Sequence, residues 1–297
     1  MINASGDASL LSIPPKLPMW TVTTEGLPTH LCVYPLGKSI LIFSCSSQGV
    51  LSLLTYLSPV TYDSPRYIRS FHLFPHDKRI FVQSFTVFNR FILVHLQSKN
   101  DNGSLHFFTH DGILEHGPIQ LSNPIRQYLA DENRLWAIDC ITQTIFSHAQ
   151  PLVTQEIASI ISKREQFVVF DDRQPSNFIP FRLAVNQQLL AILGDDFQQV
   201  FIYNKISREQ IFASHFTAGQ GMNISEIGLF PRDHSLLLKF DWSSDEYVKR
   251  SLFIHFNTKN QTVGRIEGKH CLGVVIGPNK EILIGSSIRT GYIRCYM

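Results

Sequence analysis

The chain has 297 residues, 44% apolar and 17% charged, with a formal net charge of +2. That apolar content excludes disorder, and the small charge excludes the basic footprint of a dedicated nucleic-acid or membrane-surface binder. No apolar run approaches the roughly 20 residues needed to span a bilayer, so a soluble protein with neither nucleic acid nor membrane as partner is expected.

From the N-terminus, MINASGDASLLSIPPKLPMW has no basic region, and its apolar run Leu10 to Ile13 is too short for the core of a secretory signal. The five cysteines (Cys32, Cys45, Cys140, Cys271 and Cys295) are odd in number, widely spaced and without a CxxC pair. This argues against a disulfide framework or a zinc site and makes a reducing, cytoplasmic compartment the expectation. Residues 1–16 read as a flexible tail, followed by a short apolar segment, Leu17 to Thr23.

Beyond it, helical periodicity gives way to short apolar runs between turn clusters. Six of these runs align: KSILIF, NRFILV, NRLWAI, QQLLAI, HSLLLK and KEILIG. Their markers Ile40, Phe91, Leu135, Leu189, Leu236 and Ile282 are spaced by 51, 44, 54, 47 and 46 residues, the length of a propeller blade. Most are preceded by a short apolar strand and a turn. Each is followed by a third strand, in order VLSLLTY, LHFF, TIFSH, VFIY, LFIHF and YIRCY, and several by a fourth, such as EQIFASH and QTVGRI.

The expected fold is therefore all-β, a single β-propeller domain over 1–297 with six four-stranded blades. The sixth unit stops after its third strand, so Leu17 to Thr23 is assigned as the closing strand that completes the last blade. The stretch from Pro151 to Pro180 is longer than a blade connection needs. It reads as a helix, VTQEIASIISKRE, capped by Thr154 with Val153, Ile157, Ile160 and Ile161 on one face. Alternatively QFVVFDD, Gln166 to Asp172, is a strand of a seventh blade.

The third unit, ADENRLWAIDCITQTIFSHA from Ala130 to Ala149, resembles the repeat of NHL, YWTD and gluconolactonase-type six-bladed propellers: a small turn, a Leu-aromatic strand, an aspartate, then an Ile-bearing strand. The other units match in hydrophobic pattern. No recurring Gly-His or Trp-Asp dipeptide marks WD40 blades, and no double glycine marks Kelch. A gluconolactonase-like propeller implies a divalent metal such as calcium, held by Glu, Asn and Asp at the mouth of the central channel. The positions that could supply such ligands are Glu25, in TTEGLPTH where a Leu separates the Gly and Pro, together with Asp195, Asp196 and Asn223. Ordinary turn chemistry accounts for the same residues.

No GxSxG elbow, P-loop or dinucleotide fingerprint occurs, and the twelve histidines show no HxH or HExxH spacing. His72, His95, His106, His148, His215 and His255 fall within or at the ends of strands, and His30, at the entry to the first inner strand, is expected to face the channel. Charge is uneven, with −6 over residues 101–200 and +4 over 201–297. The expected function is a non-catalytic protein-interaction module. Its anchor would be the long loop FDWSSDEYVKRS, Phe240 to Ser251, through Trp242, Asp245 and Tyr247, or that segment is a hairpin folded back on its blade. The alternative is a metal-dependent lactonase-like hydrolase acting at the channel mouth, and a weaker third reading is a glycan binder.

Overall fold

The computed structural model describes residues 14–57, 65–75, 80–97, 102–168, 178–216, 222–231, 235–245, 248–257, 262–287 and 290–297. Within them the chain forms 24 strands in six four-stranded antiparallel sheets, a six-bladed β-propeller. The first strand, β1 (Trp20–Thr24), belongs to the last blade. Blade one runs outward from β2 (His30–Leu36) through β3 (Ser39–Cys45) and β4 (Val50–Leu57) to β5 (Arg66–His72). Blade two is β6 (Val82–Phe88), β7 (Phe91–Leu96), β8 (Ser104–Thr109) and β9 (Leu114–Gln120). Blade three is β10 (Ile125–Ala130), β11 (Arg134–Asp139), β12 (Ile145–Ala149) and β13 (Glu165–Val168). Blade four is β14 (Pro180–Val185), β15 (Leu189–Gly194), β16 (Gln199–Asn204) and β17 (Gln210–His215). Blade five is β18 (Asn223–Leu229), β19 (Leu236–Asp245), β20 (Val248–Phe256) and β21 (Thr262–Lys269). Blade six is β22 (Cys271–Ile276), β23 (Ile282–Ser287) and β24 (Gly291–Tyr296), completed by β1. We call the end where inner strands begin the upper face; the inner-to-second and third-to-outer turns lie on the lower face.

The apolar runs read from the sequence are the second strands. They lie mid-blade with a neighbouring blade on each side, so both faces are buried and polar alternation disappears: every residue of β15 is buried, as are all but the first of β3. The core is correspondingly divided among the seams between blades. Phe91, Phe107, Tyr128 and Leu135 pack between blades two and three; Leu193, Ile202, Ile227 and Leu238 pack between blades four and five; Ile42, Leu54, Leu283 and Ile293 join blade one to blade six.

That last seam closes the ring as expected. β1 pairs with β24 from Trp20 opposite Cys295 to Thr24 opposite Gly291, and Met19 N donates to Cys295 O at 2.8 Å. Lys16 N donates to Arg265 O, so the chain is already tied to blade five three residues earlier. To reach β2 the chain then crosses the top of blade six on three glycines, one per strand. A Cβ on Gly291 would overlap Gly26 O, one on Gly285 would overlap Pro28 O, and one on Gly273 would lie 2.7 Å from Thr29 O.

The Pro151–Pro180 stretch combines both readings in altered form. A 3-10 turn (Thr154–Glu156) leads into a short helix, α1 (Ile157–Ser162), whose Ile157 and Ile161 plug the seam between blades two and three. The helix is shorter than expected, Val153 is exposed rather than on its apolar face, and Thr154 does not cap it; the Thr154 hydroxyl instead donates to Glu115 at 2.7 Å. Gln166 to Val168 belong to β13, the outer strand of blade three, so no seventh blade forms, and residues 169–177 lie outside the described set.

Gly285→Val forces a side chain into the closure crossing. It is expected to cost about 1–3 kcal/mol or more, measured by urea denaturation. Acid sensitivity follows from His95 and His148, both fully buried. Burial pushes their pKa down to about 4, with Arg164 adding to the effect at His148 despite the bond from Nδ1 to Lys163 O. A histidine is ordinarily half-protonated near 6.5 in the unfolded chain. Protonation therefore favours unfolding, and the fold keeps its full stability above about pH 6.5 and loses it as pH falls toward 4, by roughly 3 kcal/mol per residue at most. The melting temperature should drop steeply over this window, and His95→Phe should flatten the drop.

Candidate functional site

The six inner strands enclose a channel of about 620 Å³. Each has one edge in its sheet and one facing the channel, and the free edge carries backbone groups that need partners. Side chains from adjacent blades provide them. His30 Nε2 meets Val82 O at 3.0 Å, and Gln83 Nε2 donates to Arg126 O at 3.1 Å. Tyr128 N and Ala130 N donate to the Ser84 and Thr86 hydroxyls, each at 3.0 Å. Gln127 grips Leu183 at both ends, accepting from its N–H at 2.8 Å and donating to its carbonyl at 3.4 Å. Between blades five and six, the buried Lys239 ammonium donates to Cys271 O at 3.2 Å.

The ladder from inner to second strand carries one extra residue near the upper end in blades two to six, at Gln83, Arg126–Gln127, Phe181, Ser225 and Leu272–Gly273. A bulge bends the strand and re-aims its side chains. Here the bulges bring polar groups to the upper mouth: Gln83, Gln127, Arg182 and Glu226 line the channel with His30. Burial holds the His30 imidazole down to about 4, and the Arg182 charge adds to this. His30 thus faces the channel as expected, in its neutral form near pH 7.

Phe240 to Ser251 is a β-hairpin, not a loop. β19 has 10 residues and β20 has 9, whereas β7, β11, β15 and β23 have 6 each. Its inner flank ends where Asn223 pairs with Asp241, and its outer flank ends where Lys269 pairs with Arg250. Beyond these, Ser243 pairs with Lys249 and Asp245 with Val248 on a two-stranded arm above the upper face. Four residues of extra strand amount to about 13 Å. Trp242, opposite Arg250 at the base of the arm, is half-buried. Asp245 lies in the arm with its side chain outside the described set, and Tyr247 lies outside the described residues. At the base, Asp241 faces the Lys239 and Lys249 ammonium groups at 3.2 and 3.1 Å and accepts from the Ser251 hydroxyl at 2.6 Å. Burial alone would push its pKa up, but Lys239, Ser251 and Lys249 hold it below the usual carboxylate range.

Of the residues that could ligate a metal, the structure brings three near one another. Ile224 N donates to Phe197 O, which sets the Asp195–Asp196 turn beside Asn223. The Asp196 carboxylate already accepts from the backbone N–H groups of Gln198 and Gln199, at 3.1 and 3.0 Å. Glu25 sits at the seam of blades six and one, its N–H on the Ser52 hydroxyl at 3.3 Å, with blade six between it and Asn223 of blade five. None of the four lines the channel. Among the described residues no group of three or more His, Cys, Asp and Glu side chains is placed to hold a metal ion. The aspartate of the third unit's motif, Asp139, is a buried turn anchor. It accepts from Ile141 N at 2.9 Å, Thr142 N at 3.0 Å, Asn123 at 2.7 Å and Arg164 at 3.1 Å.

No protein-family model matches the chain, and no curated protein matches its sequence. Solved structures match its fold. The β-propeller domain of Myceliophteria thermophila Cps50 (Swd1) is 11% identical with a TM-score of 0.53, over 93% of this chain and 98% of that one. YCF48 bound to D1 peptide is 10% identical with a TM-score of 0.55, over 97% and 98%. Kuenenia stuttgartiensis hydrazine synthase is 11% identical with a TM-score of 0.52, over 89% and 75%. At these identities the likeness shows the propeller fold, and the matches include a peptide-bound protein and a synthase.

A metal that binds a preformed site raises the melting temperature by mass action. With Asp196 committed to its turn and Glu25 remote, millimolar calcium, magnesium or zinc is expected to leave the melting temperature unchanged. A concentration-dependent rise would place a metal site in the protein.

Proposed function

We propose that this chain is a non-catalytic propeller that binds a protein partner across its upper face, with the blade-five arm as its principal contact. One observation carries the reading: blade five alone, among the described residues, extends its second and third strands beyond the ring, with Trp242 at the base of the extension; Asp245 and Tyr247 complete the proposed contact. A two-stranded arm has backbone pairing on its inner edge only with itself, and a tryptophan at its base is the residue type that dominates interface energetics. The peptide-bound state of YCF48, a structural neighbour, is in keeping with this use of the fold. The same reading takes the compartment to be cytoplasmic and the Ala130 to Ala149 motif as kinship with the NHL, YWTD and gluconolactonase-type propellers, without their metal chemistry.

The test is a photo-crosslinking residue at position 243 on the arm, compared with one at position 211 on the outer strand of blade four, followed by identification of the joined protein. A single species joined at 243 and absent at 211 supports the arm. The Trp242→Ala, Tyr247→Ala double variant should then lose about 2 kcal/mol or more of affinity for that species while melting as the parent does. Unchanged affinity removes the arm as the site, and a collapsed melting temperature assigns the aromatics to the blade.

A further inference from the structure

At the upper mouth two cations gather on one aromatic ring. Phe181, the bulged residue of β14, has the Arg182 guanidinium carbon 4.7 Å from its ring centroid and that of Arg126, from the inner strand of blade three, 4.9 Å from it. Phe197 fixes the ring edge-on at 4.7 Å. The two guanidinium groups, held by different blades, thus share one ring. They are not neutralised equally. Arg182 Nε is buried and makes no hydrogen bond, since the Glu226 oxygen facing it stands 3.6 Å away, beyond hydrogen-bond reach. Arg126 has no carboxylate partner among the described residues. Asp195 and Asp196, the acids of the adjoining turn, pair with neither, and the Asp196 carboxylate is occupied by its turn.

We infer that this mouth is a binding site for a carboxylate of an acidic peptide segment, received by Arg182 and Arg126. The Arg182 side chain is partly exposed, and the planar fork of arginine matches a carboxylate. His30, Gln83 and Gln127 beside it are already engaged with neighbouring backbone and place no carboxylate in the channel wall. Glu226, 3.6 Å from Arg182, offsets part of the attraction an incoming carboxylate meets, so its removal strengthens binding. Outside the mouth, Arg250 and Lys269 are exposed opposite one another at the base of the arm, where an extended chain rather than a small acid reaches them. The site rests on its own residues and stands whether or not the arm is the principal contact.

The experiment is fluorescence anisotropy of a labelled hexaglutamate peptide titrated with the full chain, with labelled hexaglutamine as control and glutarate and inorganic phosphate as competitors. Hexaglutamate should bind and hexaglutamine should not. The Arg126→Gln, Arg182→Gln double variant should weaken binding by roughly tenfold or more, and Glu226→Gln, which removes the competing carboxylate, should tighten it. A gain of affinity cannot arise from a damaged fold, so Glu226→Gln decides the matter even if the double variant melts early. Equal binding of hexaglutamine, no response to the double variant in a folded protein, or no gain with Glu226→Gln overturns the assignment. Displacement by phosphate at lower concentration than by glutarate replaces the carboxylate with a phosphate ligand and also overturns it.

Discussion

Every blade of this protein has two apolar faces and no means of covering either alone. Its second strand is buried on both sides only because another blade lies on each side, so the hydrophobic core exists as slabs at the seams. A row of such units always leaves two faces bare unless it closes. Closure here rests on one strand pairing, Trp20–Thr24 against Gly291–Tyr296, and on the crossing of Gly26 to Thr29 over the glycines of blade six. The three glycines are needed for space rather than for backbone freedom. The connection runs where neighbouring seams are filled by side chains, and only the absence of a Cβ lets it lie flat.

Closure creates a second constraint at the centre. Six inner strands converge with their free edges toward the channel, and no further strand can pair with them. The polar side chains there are thus first an answer to unpaired backbone: Gln127 reproduces a strand's donor and acceptor toward Leu183, and Ser84 and Thr86 stand in for carbonyls toward blade three. The bulges make this possible by turning side chains across the seam near the upper end. Arg182 and Glu226 occupy the equivalent place between blades four and five, but at 3.6 Å they do not complete a hydrogen bond. The girdle is looser there than at the Gln127–Leu183 seam, and the looseness leaves a cation with unused donors at the mouth.

The sequence carried the blades plainly, and for a physical reason. Burial on both faces turns the second strand into a continuous apolar run, which repeats at blade length whatever the individual residues. The closing strand was legible because the last unit lacks a fourth strand and the first has a spare one. The bulges left no such trace: one extra residue shifts register against a partner tens of residues away, and IRQYLA or PFRLAV reads the same with or without it. The Arg126–Phe181–Arg182 grouping was hidden likewise, since it needs two blades in place. Phe240 to Ser251 was legible as an exception but not as an arm, because a hairpin rich in Ser and Asp has the composition of a loop. Thr154 misled in the opposite way, a good cap residue by type whose hydroxyl is taken by Glu115 of the preceding blade.

The acidic sector shows how far net charge can mislead about what a partner meets. Residues 101–200 sum to −6, yet they supply both arginines of the upper mouth. The resolution lies in turn chemistry. Asp111, Asp131, Glu132 and Glu156 all fall in lower-face connections, where tight turns favour short acceptors that bind backbone N–H groups. Asp131 takes those of Asn133 and Arg134 at 2.8 Å each, as Asn186 takes those of Gln188 and Leu189 in the next blade. Several of these carboxylates are also neutralised across the seam or the blade, Asp131 by Lys205 at 2.5 Å and Asp111 by Arg69. On the upper side the same sector presents Asp139 buried against Arg164 at 3.1 Å, Asp195 and Asp196 in a turn whose backbone N–H groups occupy Asp196, and Arg126 and Arg182 without full partners. Placement rather than sum therefore decides what a partner meets: two arginines gather on one ring at the mouth of a chain segment that is acidic overall, and the ring's geometry, which sends alternate turns to opposite faces, carries part of its acids to the far side.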